Sequence, residues 1–269
     1  MRMFGKYDFT LAEVFSIHSA NYHQKAFTLS EVLITLGIIG IVAAMTLPAI
    51  IQKQQDKITV TKLKKMYSVL SQAYLFAVGE YGTPDTWGFG NRDTGAEDDE
   101  DTDYVAGNAS IVKNILFKQV KNIHICDKAM DKTSCGLADR YYYEGGSEAT
   151  ELFSKVSSLS IVDGSSILVL INNGTCADIR GTDKYLKNIC GWIFVDINNV
   201  KPPNTLGRDL FGFYITKYGI IPEGTANETM YNINTTIGHG KTAWVIFNEN
   251  LDYLKCPGQL SWNGKKTCN

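Results

Sequence analysis

The sequence predicts an α+β chain: a long N-terminal helix, transmembrane in its first part and amphipathic in its second, followed by a head built on an antiparallel β-sheet. Three observations predict these parts. Val32 to Ile51 carries no charge, and at a rise of about 1.5 Å per residue such a helix is roughly 30 Å long, enough to cross a bilayer core. Ile58, Leu63, Met66, Tyr67, Leu70, Tyr74 and Ala77 then recur at three- and four-residue steps, the period of a helix with one apolar face. From Leu159 onward the pattern changes to short apolar runs bounded by turn residues, which read as strands.

Met1 to Ala26 is polar and mixed in charge and has no apolar core of its own. In an ordinary secretory signal the apolar region precedes the cleavage site, so this order of parts is different. Phe27 to Ile51 is the span, and Lys25 just before it marks the side that stays in the cytoplasm. Glu31 sits inside the front edge of the apolar run. A lone carboxylate there is costly to hold in lipid and calls for a partner, or else reaches back to the interface. Pro48 lies near the far end, where it must kink or locally open the helix. The amphipathic continuation runs from residue 52 to Tyr81, where Gly79, Gly82 and Pro84 end it. A continuous helix of about 50 residues, roughly 75–80 Å, follows. Lys53, Lys57, Lys62, Lys64 and Lys65 fall mainly off its apolar stripe.

Asp85 to Asn108 reads as a loop holding the densest charge run of the chain, Glu97 to Asp103, of the kind that is usually solvated. It lacks the spacing of a calcium-binding EF-hand loop. Ser110 to Ile125 reads as a helix capped by Ser110, and Cys126 to Gly146 as irregular chain with three adjacent tyrosines, Tyr141 to Tyr143. The tyrosines suit packing on the sheet or stacking against sugar. Ala149 to Ser157 reads as a short helix. Ser166 to Ile171 ends in Asn172-Asn173-Gly174, a strong turn signal, and Gly191 to Ile197, Phe211 to Thr216 and Ala243 to Phe247 complete about four antiparallel strands.

The formal net charge is −2, which leaves no global basic footprint, and no nucleic-acid partner is expected. Six cysteines, Cys126, Cys135, Cys176, Cys190, Cys256 and Cys268, all follow the apolar run. An even count on the presumed outer side suits disulfides in an oxidising compartment. Fifteen pairings exist. Joining sequence neighbours, Cys126–Cys135, Cys176–Cys190 and Cys256–Cys268, closes short loops and is the set expected here, the alternative being buried free thiols. No C-x-x-C pair is present, which argues against a zinc or redox site.

Lys25-Ala26-Phe27-Thr28-Leu29-Ser30-Glu31-Val32-Leu33 resembles the prepilin processing site shared by type IV pilins and type II secretion pseudopilins. Phe27, Glu31 and the downstream Pro48 match in identity and spacing; Ala26 stands where the family usually has Gly. The resemblance implies cleavage by a prepilin peptidase between Ala26 and Phe27 and N-methylation of Phe27. It divides the chain into a leader (1–26), a transmembrane helix (27–51), its amphipathic continuation (52–81) and a disulfide-containing head (82–269). It also implies that the helix packs on the sheet. Cleavage frees an α-amino group, and Glu31 of a neighbouring subunit is suited to pair with it and fix axial register. The implied partners are copies of the chain, other pilins or pseudopilins, the prepilin peptidase, the inner-membrane assembly machinery and the lipid bilayer. The implied location is the cytoplasmic membrane, single-pass, with N-terminus inside and head outside, and a filament after assembly.

Val195 to Phe211 resembles the Asp-x-Asn, Pro-Asn, Gly-x-Asp-x-Phe connection of many pilin-like proteins. Asp196, Asn198, Asn204 and Asp209 offer oxygen ligands on a proline-stiffened turn, so calcium is a candidate ligand, set against plain hydrogen-bonded turn chemistry. No cofactor is required. No complete hydrolase, zinc-protease or P-loop motif occurs; Gly238-His239-Gly240-Lys241-Thr242 lacks the first P-loop glycine, since Thr235 stands there. The chain therefore reads as a structural filament subunit and not an enzyme, with a membrane-anchored binding module, such as a minor pilin with adhesin, glycan-binding or DNA-binding function, as the alternative.

Overall fold

The apolar run and the amphipathic stripe form one helix, α1, Leu29–Tyr81, with Pro48 inside it. The computed structural model describes residues 27–91, 101–120, 123–126, 136–149, 156–161 and 164–268. The chain divides into two units between Ile50 and Ile51, so α1 contributes its first part to one and the rest to the other. In the apolar part, Thr35 and Thr46 turn their hydroxyls back to the carbonyls of Val32 (3.0 Å) and Val42 (2.9 Å), so both hydroxyls are satisfied within the helix. At the far end Gly82, at φ +79°, donates to the Val78 carbonyl and takes the left-handed turn that stops the helix.

Within the second unit the buried stripe of α1 is Val60, Leu63, Met66, Leu70, Ala73, Tyr74 and Ala77. Five of these are among the positions expected from periodicity. Ile58 is instead exposed, because Val60 takes the inward place two residues on, about 200° around the helix. Two of the off-stripe lysines tie α1 to the rest of this unit: Lys62 donates to the Ile197 carbonyl (2.8 Å), and Lys64 pairs with Glu249.

The sheet is a six-stranded antiparallel meander in strict sequence order. Its strands are β1 (Ile123–Cys126), β2 (Ser157–Ile161), β3 (Ser166–Ile171), β4 (Ile189–Asp196), β5 (Leu210–Thr216) and β6 (Gly219–Pro222). Every residue of β3, β4 and β5 is buried, which explains why they read as continuous apolar runs and not as alternating ones. Side chains alternate between faces. Ile193, Val195, Phe211, Phe213 and Ile215 join the α1 stripe in one core, and Trp192, Phe194, Leu210 and Tyr214 face a second core with Leu137, Tyr141 and Leu206. Tyr67 of α1 stacks on Phe213 of β5 with ring centroids 5.8 Å apart.

Four expectations are corrected. Ala243 to Phe247 is not a strand: Thr242–Asn248 forms a helix, α3, with Trp244 and Val245 fully buried. A five-residue apolar run carries too little periodicity to separate the two states. The loop expected over Asp85–Asn108 gives way to a 3₁₀ turn, Pro84–Thr86, and to a second helix, α2, that begins at Asp101 and ends at Ile111. The helix expected over Ser110–Ile125 stops early: a π turn, Val112–Leu116, follows α2, and Ile123–Cys126 is the edge strand β1. The sheet has six strands where four were expected, since β1, β2 and β6 are only four or five residues long. The short helix expected over Ala149–Ser157 falls largely outside the described residues, and Ser157 opens β2.

Cys176–Cys190 ties the turn after β3 to β4, and Cys256–Cys268 pins the C-terminal tail. They close sequence separations of 14 and 12 residues, and each contributes roughly 2–4 kcal/mol by restricting the unfolded chain. Cys126 lies in β1, and Cys135 is outside the described residues.

Candidate functional site

Glu31 is the third residue of α1, and Thr28 stands at the N-cap. The Thr28 backbone N–H donates to Glu31 Oε2 (2.8 Å), the Thr28 hydroxyl donates to the same oxygen (2.8 Å), and the Glu31 N–H donates to Thr28 Oγ1 (3.2 Å). This is a capping box: two helix-end donors that would otherwise be orphaned are satisfied reciprocally. The box holds the Glu31 carboxylate beside the backbone of residue 28, one residue after the Ala26–Phe27 bond. Ala26 lies outside the described residues. The Phe27 side chain is 84% exposed.

Behind the box, Leu29, Leu33, Leu36, Ile39, Met45 and Ile50 are all exposed. By length and composition this is the one helix among the described residues that can cross a membrane, and it fits a membrane-anchored, single-pass chain. Pro48 is the twentieth of the 53 residues of α1 and leaves the helix continuous.

The Asp196–Asp209 turn brings Asn198 to both carboxylates, whereas Asn204 contributes only its backbone N–H. Asp196 takes the Asn198 N–H on Oδ1 (3.1 Å) and the Tyr141 hydroxyl on Oδ2 (3.2 Å). Asp209 takes the Thr205 N–H on Oδ1 (2.6 Å), and the Asn204 N–H (2.8 Å) and Asn198 Nδ2 (3.1 Å) on Oδ2. Asn199 and Asn204 adopt left-handed backbone, at φ 62° and 49°, which Asn tolerates better than most residues. Every oxygen of the two carboxylates thus already accepts a protein hydrogen bond, and among the described residues no three His, Cys, Asp or Glu side chains gather as a metal-ligand set.

Burial, aided by the Asp209 charge, pushes Asp196 up to about 7. A carboxyl with a raised native pKa stabilises the fold fully below its ordinary value near 4 and loses that contribution as pH rises through 7. In chelator, Asp196→Asn is therefore expected to gain on the wild type by up to about 1.4 kcal/mol per pH unit between pH 4 and 7. Melting curves of the two proteins across this range check it; parallel curves would contradict it.

The sequence reading missed a second polar cluster on the same face of the sheet. Glu223, Glu228, Tyr214 and His239 are buried together. His239, inside the broken P-loop pattern, places its Nδ1 2.8 Å from Glu223 Oε1. The Gly238-x-Gly240 pair was the available signal. Both glycines take φ near +80°, and each lacks space for a Cβ, which would fall 2.1 Å from the Leu206 carbonyl at Gly238 and 2.6 Å from the Asn232 carbonyl at Gly240.

Two family models match the chain. One, a family of unknown function (DUF6613), matches residues 49–252; the other, the prokaryotic N-terminal methylation motif, matches residues 21–47. No curated protein and no solved structure matches it. The second match covers the capping box and the apolar half of α1, and it is the prepilin motif of type IV pilins and pseudopilins. With three quarters of its length inside the first match, the chain belongs to the DUF6613 family of unknown function, carrying a prepilin-type methylation motif at its N-terminus.

Proposed function

We propose that the chain is a prepilin-like structural subunit, cut between Ala26 and Phe27, N-methylated at Phe27 and assembled through α1 into a type IV pilus or type II secretion pseudopilus. The methylation-motif match at residues 21–47 carries this reading. The exposed apolar flank of α1 supports it: in a subunit waiting for assembly that flank is matched by lipid, and in a filament by neighbouring helices. One heterologous contact repeated head to tail gives an open filament. The head then faces outward from the cytoplasmic membrane, on the side where the disulfides are stable.

In this reading Glu31 meets the methylated amino group of a neighbour. The capping box keeps its carboxylate at the cytoplasmic end of the helix until then, so pairing must offset the loss of the Thr28 donors. The role is structural and non-catalytic. Co-expression with a pilus assembly system and shearing of the cells tests it: the chain is expected in the sheared filament fraction, and its confinement to the membrane fraction would contradict assembly. A substoichiometric amount at filament ends would favour a minor subunit with a binding head.

Calcium at the Asp196–Asp209 turn is a separate proposal. A cation there would have to displace N–H donors from both carboxylates. Proteolysis and melting of the head with calcium and with chelator test it; identical behaviour leaves the turn held by hydrogen bonds alone.

A further inference from the structure

The 19 residues between β6 and α3, Glu223 to Lys241, are held to the sheet by acids. Glu223 is 1% exposed and Glu228 8%. The Tyr214 hydroxyl of β5 stands between them, 2.6 Å from Glu228 Oε1 and 3.5 Å from Glu223 Oε1. Glu228 Oε2 also accepts the Gly224 N–H (2.6 Å), and Glu223 Oε2 accepts the Gly240 N–H (3.2 Å). The space for Glu223 exists because residue 212 is glycine: a Cβ there would come within 2.7 Å of Glu223 Oε2. Two carboxylates sharing one hydroxyl in a dry site cannot both ionise without cost.

We propose that Glu228 holds an exchangeable proton at the Tyr214 hydroxyl, beside buried Glu223, and that this proton fastens the 223–241 connection onto β5, so that rising pH loosens the connection while the rest of the sheet stays closed. The other titratable groups facing the pair are His239, at Glu223, and Tyr231, which stacks on His239 with ring centroids 4.3 Å apart. Tyr143 lies against His239 with ring centroids 6.4 Å apart, and Arg180, over the Trp192 ring of β4, exerts its charge on Tyr231. Lys241, farther along the connection, is committed to the Ile233 carbonyl and Glu144. Among the described residues no lysine or arginine pairs with either acid.

Burial first, and the Glu223 charge second, push Glu228 up to about 8. The attachment is therefore fully present below about pH 4.5, where a freed glutamate also holds its proton, and is lost progressively as pH rises through 8. The connection is also tied by Glu223 N–H to the Gly212 carbonyl of β5, by Thr229 and Asn227 to Arg180 and Thr182, by Ile237 to Glu144 and by Gly224 to Trp262; none of these is a β4–β5 ladder bond, so residues 225–239 can loosen without unzipping β5 from β4.

Amide hydrogen exchange of the full chain in detergent micelles, corrected for the intrinsic pH dependence, tests the proposal. Exchange within 225–239 is expected to accelerate by up to about tenfold per pH unit between pH 5.5 and 7.5 and to level off above 8, with β4 and β5 unaffected. In Glu228→Gln the acceleration falls to at most a third of the wild-type slope. In Tyr214→Phe, where the carboxylate loses its hydroxyl donor, the levelling-off moves to higher pH; this variant decides the matter if Glu228→Gln fails to fold. An unchanged slope in Glu228→Gln, an unmoved plateau in Tyr214→Phe, or acceleration spread equally over β4 and β5 overturns the proposal.

Discussion

Glu31→Leu is expected to leave cleavage before Phe27 intact and to remove the subunit from filaments. A protonated amino terminus at the start of an apolar helix needs an anion, and in the proposed assembly Glu31 of a neighbour supplies it. Taking away one member of a desolvated pair leaves the other charge unmatched, at a cost of about 3–5 kcal/mol. At 1.4 kcal/mol per tenfold, that is more than about a hundredfold in the association of each added subunit. The capping box complicates the leucine variant, because it also loses the acceptor for the Thr28 N–H, worth about 0.5–2 kcal/mol. Glu31→Gln separates the two effects: an amide oxygen can still cap the helix but carries no charge. Quantifying the sheared fraction against the processed membrane pool for both variants is the check. Loss of assembly in both supports charge pairing; normal incorporation of Glu31→Gln would reduce Glu31 to a cap.

Phe213→Ala is expected to destabilise the head by about 3–5 kcal/mol, the usual cost of removing a buried phenylalanine and leaving its cavity. Phe213 is fully buried at the middle of β5, and its ring stacks on Tyr67 of α1. The residue therefore sits where the α1 stripe and the most central strands share one core. Phe76→Ala is the control. Phe76, on α1, is 62% exposed, and its replacement should change stability by less than about 0.5 kcal/mol. Denaturant unfolding of the full chain in micelles, followed at the head's transition, measures both. Equal small effects would mean that the sheet does not depend on α1 as its cover.

Local strings were legible in the sequence, and long-range partnerships were not. Leu63, Met66, Leu70, Tyr74 and Ala77 announced the buried face of α1 by spacing alone, and the runs at 166–171 and 211–216 announced β3 and β5 because both faces of those strands are covered. The motif around Phe27 and Glu31 was legible for the same reason: it is a contiguous pattern whose residues act on one another three positions apart. The run Thr242–Asn248 was not, since its β-favouring residues become helical only under the packing of Trp244 and Val245 against the sheet. The short edge strands β1 and β6 carry too few residues to show a period. Asp196 and Asp209 were singled out as a pair, but the hydrogen bonds that occupy them come from Tyr141, 55 residues away, and from turn amides that only the folded backbone presents. Glu223 and Glu228 stand in a polar stretch whose spacing marks neither of them. Their burial depends on Gly212 and Tyr214 of a different strand.

The most direct test of the central claim is the mass and N-terminal peptide map of the chain co-expressed with a prepilin peptidase. The account predicts a mature chain that begins at N-methylated Phe27. A chain left uncut, or cut at any other bond, would contradict it and leave a single-span anchored head in which Glu31 serves only its own helix.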